Sequence, residues 1–319
     1  MTRLLPADPA RLEEILDGTY AIWGEGLSRH SYGAWNRAQM ATGWGREHLH
    51  RVALVDGDTL LASAKRYDLT AMVRAVAVAV LGIGAVFTPA DRRGQGHARR
   101  LIDLMMADAT ARGCRYALLF SEIGTAYYES LGFRAVPRTL VTIDLVFKPG
   151  APATLVRSAE AEDLPAIAAI SARYGEGATF AIDRPADQIA FFHARRRLLA
   201  GFAPPGQRFV EFFVAEEGRR PVAYVFITRG PKGVVLEECG DNDPSGARVG
   251  AMLQVLSART PAEPALRLQG WLPLSFRPPQ IRISDETPSP EIMMIRPIGD
   301  APWPIDDPAG VVYWQADAF

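Results

Sequence analysis

Apolar positions along this chain switch between two periods. Near the start, Leu12, Ile15, Leu16 and Tyr20 recur at helical spacing behind Asp8 and Pro9. That spacing predicts a helix with Asp8 as its N-cap and proline in its first turn. "HRVALVDGDTLLASAKRYDL", from His50 to Leu69, alternates on either side of Asp56-Gly57 and predicts a hairpin. "VRAVAVAVLGIGAVFT", from Val73 to Thr88, reads as one or two adjacent strands, buried on both faces at the end. Gly82 and Gly84 inside it mark the close approach of another backbone or a ligand.

From His97 to Arg112 the period lengthens. Ala98, Leu101, Ile102, Met105, Met106 and Ala109 predict one apolar helix face, ended by Gly113. "CRYALLFS" (114–121) is a strand, "TAYYESLGF" (125–133) a short helix closed by Gly132, and "TLVTIDLVF" (139–147) a further strand. Proline and glycine then cluster in "KPGAPAT", 148–154, where periodicity stops. After it the order restarts. A strand and helix in 155–174 precede a hairpin about Glu217-Gly218, a strand at 233–240, a helix at 245–259 and a strand at 265–272. The tail ends in "GVVYWQADAF", a final strand. The expectation is an α/β fold with mixed sheets covered by helices, in two modules of similar element order. The first spans 1–147 and the second 155–319, joined by the linker 148–154.

Composition narrows the function. With 48% hydrophobic residues in 319, each half has enough apolar side chains for a core. Lys+Arg number 35 and Asp+Glu 36, so no overall charge draws the chain to nucleic acid or to an anionic membrane, and any basic site is local. Two cysteines, Cys114 and Cys239, suit neither a disulfide scaffold nor a CxxC zinc site, and the expectation is reduced thiols and no metal. "MTRLLPADPARLEEIL" lacks the apolar core of a signal peptide, and the longest apolar run, Ala75 to Phe87, is too short to span a bilayer as a helix. A cytoplasmic protein is expected.

A local basic site does exist. "DRRGQGHARRL", from Asp91 to Leu101, crosses from the apolar strand into the helix. Glycines there bare the backbone N–H groups, the helix start adds partial positive charge, and Arg92, Arg93, Arg99 and Arg100 add full charges. The combination suits a phosphate or diphosphate. A P-loop requires GxxxxGK[ST], which is absent. A dinucleotide fingerprint fails because Arg99 stands where the third glycine belongs. Arg93-Gly94-Gln95-Gly96-His97-Ala98 does fit the form [QR]xxGx[GA].

That hexamer, between an apolar strand and an amphipathic helix, resembles motif A of the GNAT superfamily of acyl-CoA-dependent N-acyltransferases. "TAYYESLGFRAVP" (125–137) is similar to the superfamily's FYxxxGF segment, in the expected order. The resemblance covers residues 50–147 well and the first fifty loosely. It implies that acetyl-CoA is the co-substrate and a primary amine the acceptor. Its pantetheine would pair with Val86, Phe87 and Thr88, where two strands splay. Its diphosphate would rest on Arg93, Gly94, Gln95, Gly96, His97, Ala98 and Arg99. Tyr128 would be the general acid toward the CoA sulfur. For the base, the resemblance leaves Glu122 and a terminal carboxylate at Phe319, with Glu25, His30 and Asp68 in segments that shape the acceptor site. Trp23, Tyr32, Trp35 and Trp44 are either core aromatics or an acceptor pocket, Trp23 leaning to core.

The second half reads "DNDPSGARVGAMLQ" at the corresponding place; Gly246 and Gly250 are present but the hexamer is not, and no YxxxGF segment follows. It is expected to be a degenerate module that holds no acyl-CoA. Such a tandem resembles the Eis-type acetyltransferases and mycothiol synthase, although here the intact motif lies in the first half. A non-catalytic acyl-CoA sensor is the alternative, and a homo-oligomer is left open.

Overall fold

The computed structural model describes residues 2–146, 155–231, 233–259, 267–273 and 276–319. The chain forms two compact units, one of residues 1–136, 290–306 and 319, the other of residues 137–289 and 307–318.

The first unit opens with strand β1 (Thr2–Pro6) and helices α1 (Pro9–Trp23), α2 (Arg29–Ala41) and α3 (Gly43–His48). Asp8 does cap α1, accepting from the Arg11 amide at 2.8 Å. Strands β2 (Leu49–Asp56), β3 (Thr59–Val73) and β4 (Val76–Phe87) form an antiparallel meander. The run from Val73 to Thr88 is thus divided by a turn at Arg74 and Ala75, whose φ values are 48° and 65°. Then come α4 (His97–Ala111), β5 (Tyr116–Ser121), α5 (Ala126–Glu129) and β6 (Arg134–Val136). The sheet is completed from far along the chain, because Ile292–Pro297 inserts between β5 and β6, antiparallel to both. Its order is β1-β2-β3-β4-β5, the late strand, β6.

Of the apolar face expected on α4, Leu101, Ile102, Met105, Met106 and Ala109 are buried. They pack on Leu54, Leu61, Ala64, Leu81, Ile83, Ala117 and Leu119 of the sheet and on Tyr128 and Phe133. This burial fixes where α4 begins, and so where its unpaired amides lie.

The second unit has its own sheet, in the order Ile281–Pro288, Thr139–Leu145, Arg267–Gly270, Gly233–Asp241, Arg220–Gly230, Phe209–Glu217, Leu155–Ser158. Helices Leu164–Arg173, Ala186–Phe202 and Ala247–Arg259 accompany it, and Phe180–Ile182 pairs in parallel with Val311–Val312. Thr139–Leu145, expected at the end of the first module, hydrogen-bonds to Arg267–Gly270 and Ile281–Pro288 and therefore lies in the second sheet. The linker expected at 148–154 lies outside the described residues.

Candidate active site

The end of β4 departs from regular pairing in two ways. Between the partners Lys65↔Gly84 and Ser63↔Phe87, β4 carries one residue more than β3. Ala85 absorbs the excess at φ 46°, a left-handed conformation that an L-residue adopts only when the surroundings enforce it. Meanwhile the parallel pairing of β4 with β5 runs from Val80↔Tyr116 to Ile83↔Leu119 and stops, although both strands continue. Beyond Ile83 the β5-facing edge of β4 is released. Val86, Phe87 and Thr88 lie at this end; Val86 and Thr88 are half-buried, while the Phe87 ring is buried beside Gly18 of α1. The resemblance implied that two strands part here, and the pairing of β4 with β5 ends at Ile83↔Leu119.

Past Pro89 the chain makes a short turn and then runs through Arg93, Gly94, Gln95 and Gly96 into α4. Gly94 and Gly96 have φ values of 76° and 81°, and a Cβ at either would meet nothing within 4 Å. Glycine is needed here for the backbone conformation, not for lack of room. Gly96 caps α4 without a side-chain hydrogen bond. Among the described residues, no group accepts from the amides of Gly94, Gln95, Gly96, His97, Ala98 or Arg99. Six donors and a helix start thus remain open to an anion. Side chains hold the turn from beneath. Arg93 Nε donates to Thr88 O at 3.2 Å, and Gln95 Nε2 to Asp91 O at 3.2 Å. Arg99 Nη2 donates to Ser130 O at 3.1 Å, tying α4 to the segment that carries Tyr128.

Tyr128 is 9% exposed, edge-on to Tyr127 and Phe133. Burial, with Tyr127 beside it, pushes its hydroxyl up to about 12, so it is a neutral phenol at any physiological pH. Tyr127, 37% exposed, is the peripheral member of the pair.

Phe319 lies on the opposite side of the gap from α4, against β3, β4 and β5. Its ring is 4.2 Å from the Tyr67 ring and 5.3 Å, edge-on, from Phe120. A Cβ at Gly82 would stand 2.8 Å from that ring, and one at Gly84 would stand 3.3 Å from the Phe319 main-chain oxygen. Gly82 and Gly84 therefore do mark a close approach, and the visitor is a residue of this chain.

The remaining expected residues are placed as follows. Glu122 is exposed after β5, with no ion pair among the described residues. Glu25 and His30 are exposed in the α1–α2 region. Asp68 binds His50 at 3.3 Å, Arg66 at 3.3 Å and Arg112 at 2.7 Å. Burial would raise its carboxyl, but these partners hold it below the usual range, which makes it an ion-pair hub. Tyr32 and Trp44 are buried, whereas Trp23 and Trp35 are half-buried. Sequence reasoning passed over Arg51 and Tyr67, which share a face with Gly84. A charged residue in an alternating strand gives no signal that it points inward.

Residues 14–136 match the family model described as an acetyltransferase (GNAT) domain. No curated protein matches the chain. Among solved structures, the fold is similar to that of a GCN5-related N-acetyltransferase from Kribbella flavida, at TM-score 0.68 and 15% identity, over 92% of this chain and 70% of that one. Eis1 from Mycobacterium abscessus is similar at TM-score 0.59 and 15% identity, over 93% and 74%. A tandem GNAT protein from the clavulanic acid biosynthesis pathway is similar at TM-score 0.55 and 10% identity, over 95% and 100%. At these identities the structures speak to the fold, and the family match speaks to the domain. Bulged β4, its release from β5 and the open turn before α4 all lie within the matched segment, so residues 14–136 carry a GNAT acetyltransferase domain, within a chain whose fold is similar to that of tandem GNAT proteins.

Proposed function

We propose that the chain transfers an acetyl group from acetyl-CoA to a primary amine by direct attack, with Tyr128 as general acid. The observation that carries this reading is the set of six unpartnered amides at residues 94–99, beside a strand end freed from β5. The amides and the rim arginines would hold the diphosphate. Val86, Phe87 and Thr88 would pair with the pantetheine and lay the thioester along the gap, where a strand N–H can bind the carbonyl oxygen.

In the transfer, the amine nitrogen bonds to the acyl carbon and the carbon–sulfur bond breaks. Tyr128 gives its proton to the departing sulfur, and the proton of the amine passes to a base. For the base we favour a carboxylate at Phe319, supported by the place of its main-chain oxygen beside Gly84. Glu122 has the weaker support, since it is exposed. The second unit holds no acyl-CoA on this reading.

Calorimetric titration with CoA, followed by thiol release from acetyl-CoA across a panel of amines, tests the proposal. One CoA per chain and amine-dependent thiol release are expected. Absence of CoA binding overturns it, and CoA binding without turnover on any amine turns the reading to an acyl-CoA sensor.

A further inference from the structure

The face of the first sheet that carries Phe319 holds a buried cation that pairs with no carboxylate side chain among the described residues. Arg51 of β2 lies opposite Lys65 of β3, and Lys65 lies opposite Gly84 of β4. Directly opposed residues share a face, so Arg51 stands two strand spacings, roughly 10 Å, along the sheet from Gly84. Tyr67, whose ring stacks on Phe319, is the next residue of β3 on the same face.

Arg51 is 3% exposed. Its Nη2 donates to Asn36 Oδ1 of α2 at 2.9 Å. Its Nε and Nη1 are buried with no hydrogen-bond partner among the described residues. The groups that act on it are the hydroxyls of Tyr32 and Tyr67, and no carboxylate is among them; burial pushes the guanidinium downward. Ser63, on the same face and fully buried, also has an unpartnered Oγ. Burying a guanidinium beside neutral oxygens alone is costly, and folding does not call for it. An anionic group brought by a ligand would repay that cost, and guanidinium's fork suits the two oxygens of a carboxylate.

We propose that Arg51 binds a carboxylate carried by one of the two reactants, so that the reaction favours a carboxylate-bearing small amine or, equally by chemistry, a dicarboxylic acyl group. This deepens the acyltransferase reading and rests on it. The carboxylate would lie under α2, one aromatic ring from the gap between β4 and β5, which leaves the reacting atoms at the gap itself.

The test compares amino acids with their carboxamides as acceptors of acetyl-CoA, and acetyl-CoA with succinyl-CoA as donors to one carboxamide. Arg51→Met and Arg51→Lys are measured beside the unaltered chain. Expected is a preference in kcat/KM for the carboxylate form, in one arm or the other, of roughly 30-fold or more. Arg51→Met abolishes the preference, Arg51→Lys keeps part of it, and CoA affinity is unchanged in both. The arm that shows the preference names the reactant that brings the carboxylate. Should turnover be absent, titration of the CoA-bound chain with succinate and with its diamide gives the same answer, binding of succinate alone being expected and lost in Arg51→Met. Without ligand, Arg51→Met should unfold at the same temperature or a higher one. Equal rates and equal binding for acid and amide, or a lower melting temperature with the preference intact, overturns the inference. Failure to bind CoA would instead overturn the acyltransferase reading.

Discussion

The two units each send a strand into a helix through a turn containing glycine, and they treat the freed amides in opposite ways. Before α4 the six amides from Gly94 to Arg99 donate to no partner among the described residues. Before the helix Ala247–Arg259, the Asp241 carboxylate turns back into the same kind of space. Its oxygens accept from the amides of Arg248 at 2.9 Å, Val249 at 3.3 Å and Asp243 at 2.9 Å. Asp243 in turn accepts from Ser245 N, and Arg248 pairs with Asp241 and Glu217. The second junction thus makes its own anion, fully buried, and satisfies itself. An anion site is made by withholding acids as much as by supplying amides, and the first unit bears the instability of open donors where the second does not.

The difference extends to the chemistry, and there the largest effect is expected. After β5 the first unit places Tyr128, whereas after Arg267–Gly270 the second has no tyrosine before residue 313. Tyr128→Phe should lower kcat by about 10²- to 10⁴-fold with little change in CoA affinity. Because its hydroxyl stands near 12, the phenol stays protonated through the working range, and kcat should show no alkaline decline from this group below about pH 11. Rate–pH profiles of both proteins check this; an unchanged kcat in Tyr128→Phe would make the tyrosine a core aromatic only.

Gly96→Val strikes the open junction directly. A β-branched residue at φ 81° costs about 1–3 kcal/mol and pulls the Gly96 and His97 amides out of line. CoA affinity should fall at least ~10-fold while the second unit melts unchanged. Asp241→Asn strikes the closed junction. It leaves three amides and Arg248 poorly matched, so unfolding of the second unit should cost about 1–3 kcal/mol less. Affinity for CoA and the count of one per chain should stay as they are. Two CoA molecules per chain in Asp241→Asn would show that the carboxylate alone excludes the cofactor.

How much of this was legible follows the range of the interactions. The α4 face, the Asp8 cap and the glycine turn are local patterns, and all could be read from spacing. Gly82 and Gly84 announced a close approach without naming the visitor, since Phe319 arrives from the far end of the chain. The turn at Arg74-Ala75 was hidden because both left-handed positions hold side chains where glycine or asparagine would give the signal. Exchange of strands was hidden for a different reason. Ile292–Pro297 and Thr139–Leu145 alternate like any strand, and nothing local tells which sheet will receive them. Arg51 reads as a solvated cation until its register opposite Lys65 is known. Asp241 reads as one more turn residue until it is seen to fold back.

The smallest expected effect sharpens the comparison most finely, because it concerns the cations at each rim. Arg248 is held by two carboxylates, one at 2.7 Å and one at 3.2 Å, and its charge is spent within the protein. Arg93 and Arg100 are exposed and have no acidic partner among the described residues. Their charge reaches outward into water, where a Debye length of about 8 Å at physiological salt limits what each would contribute to holding the proposed diphosphate. An exposed pair of this kind is worth under about 1 kcal/mol, so Arg93→Gln should weaken CoA binding only a few-fold. Arg93→Gln should lose its effect as salt is raised, whereas Gly96→Val, which acts through amide direction, should keep it. Calorimetry at two ionic strengths separates them. Equal salt dependence in the two variants would mean that backbone and rim do not divide the work as the open junction implies.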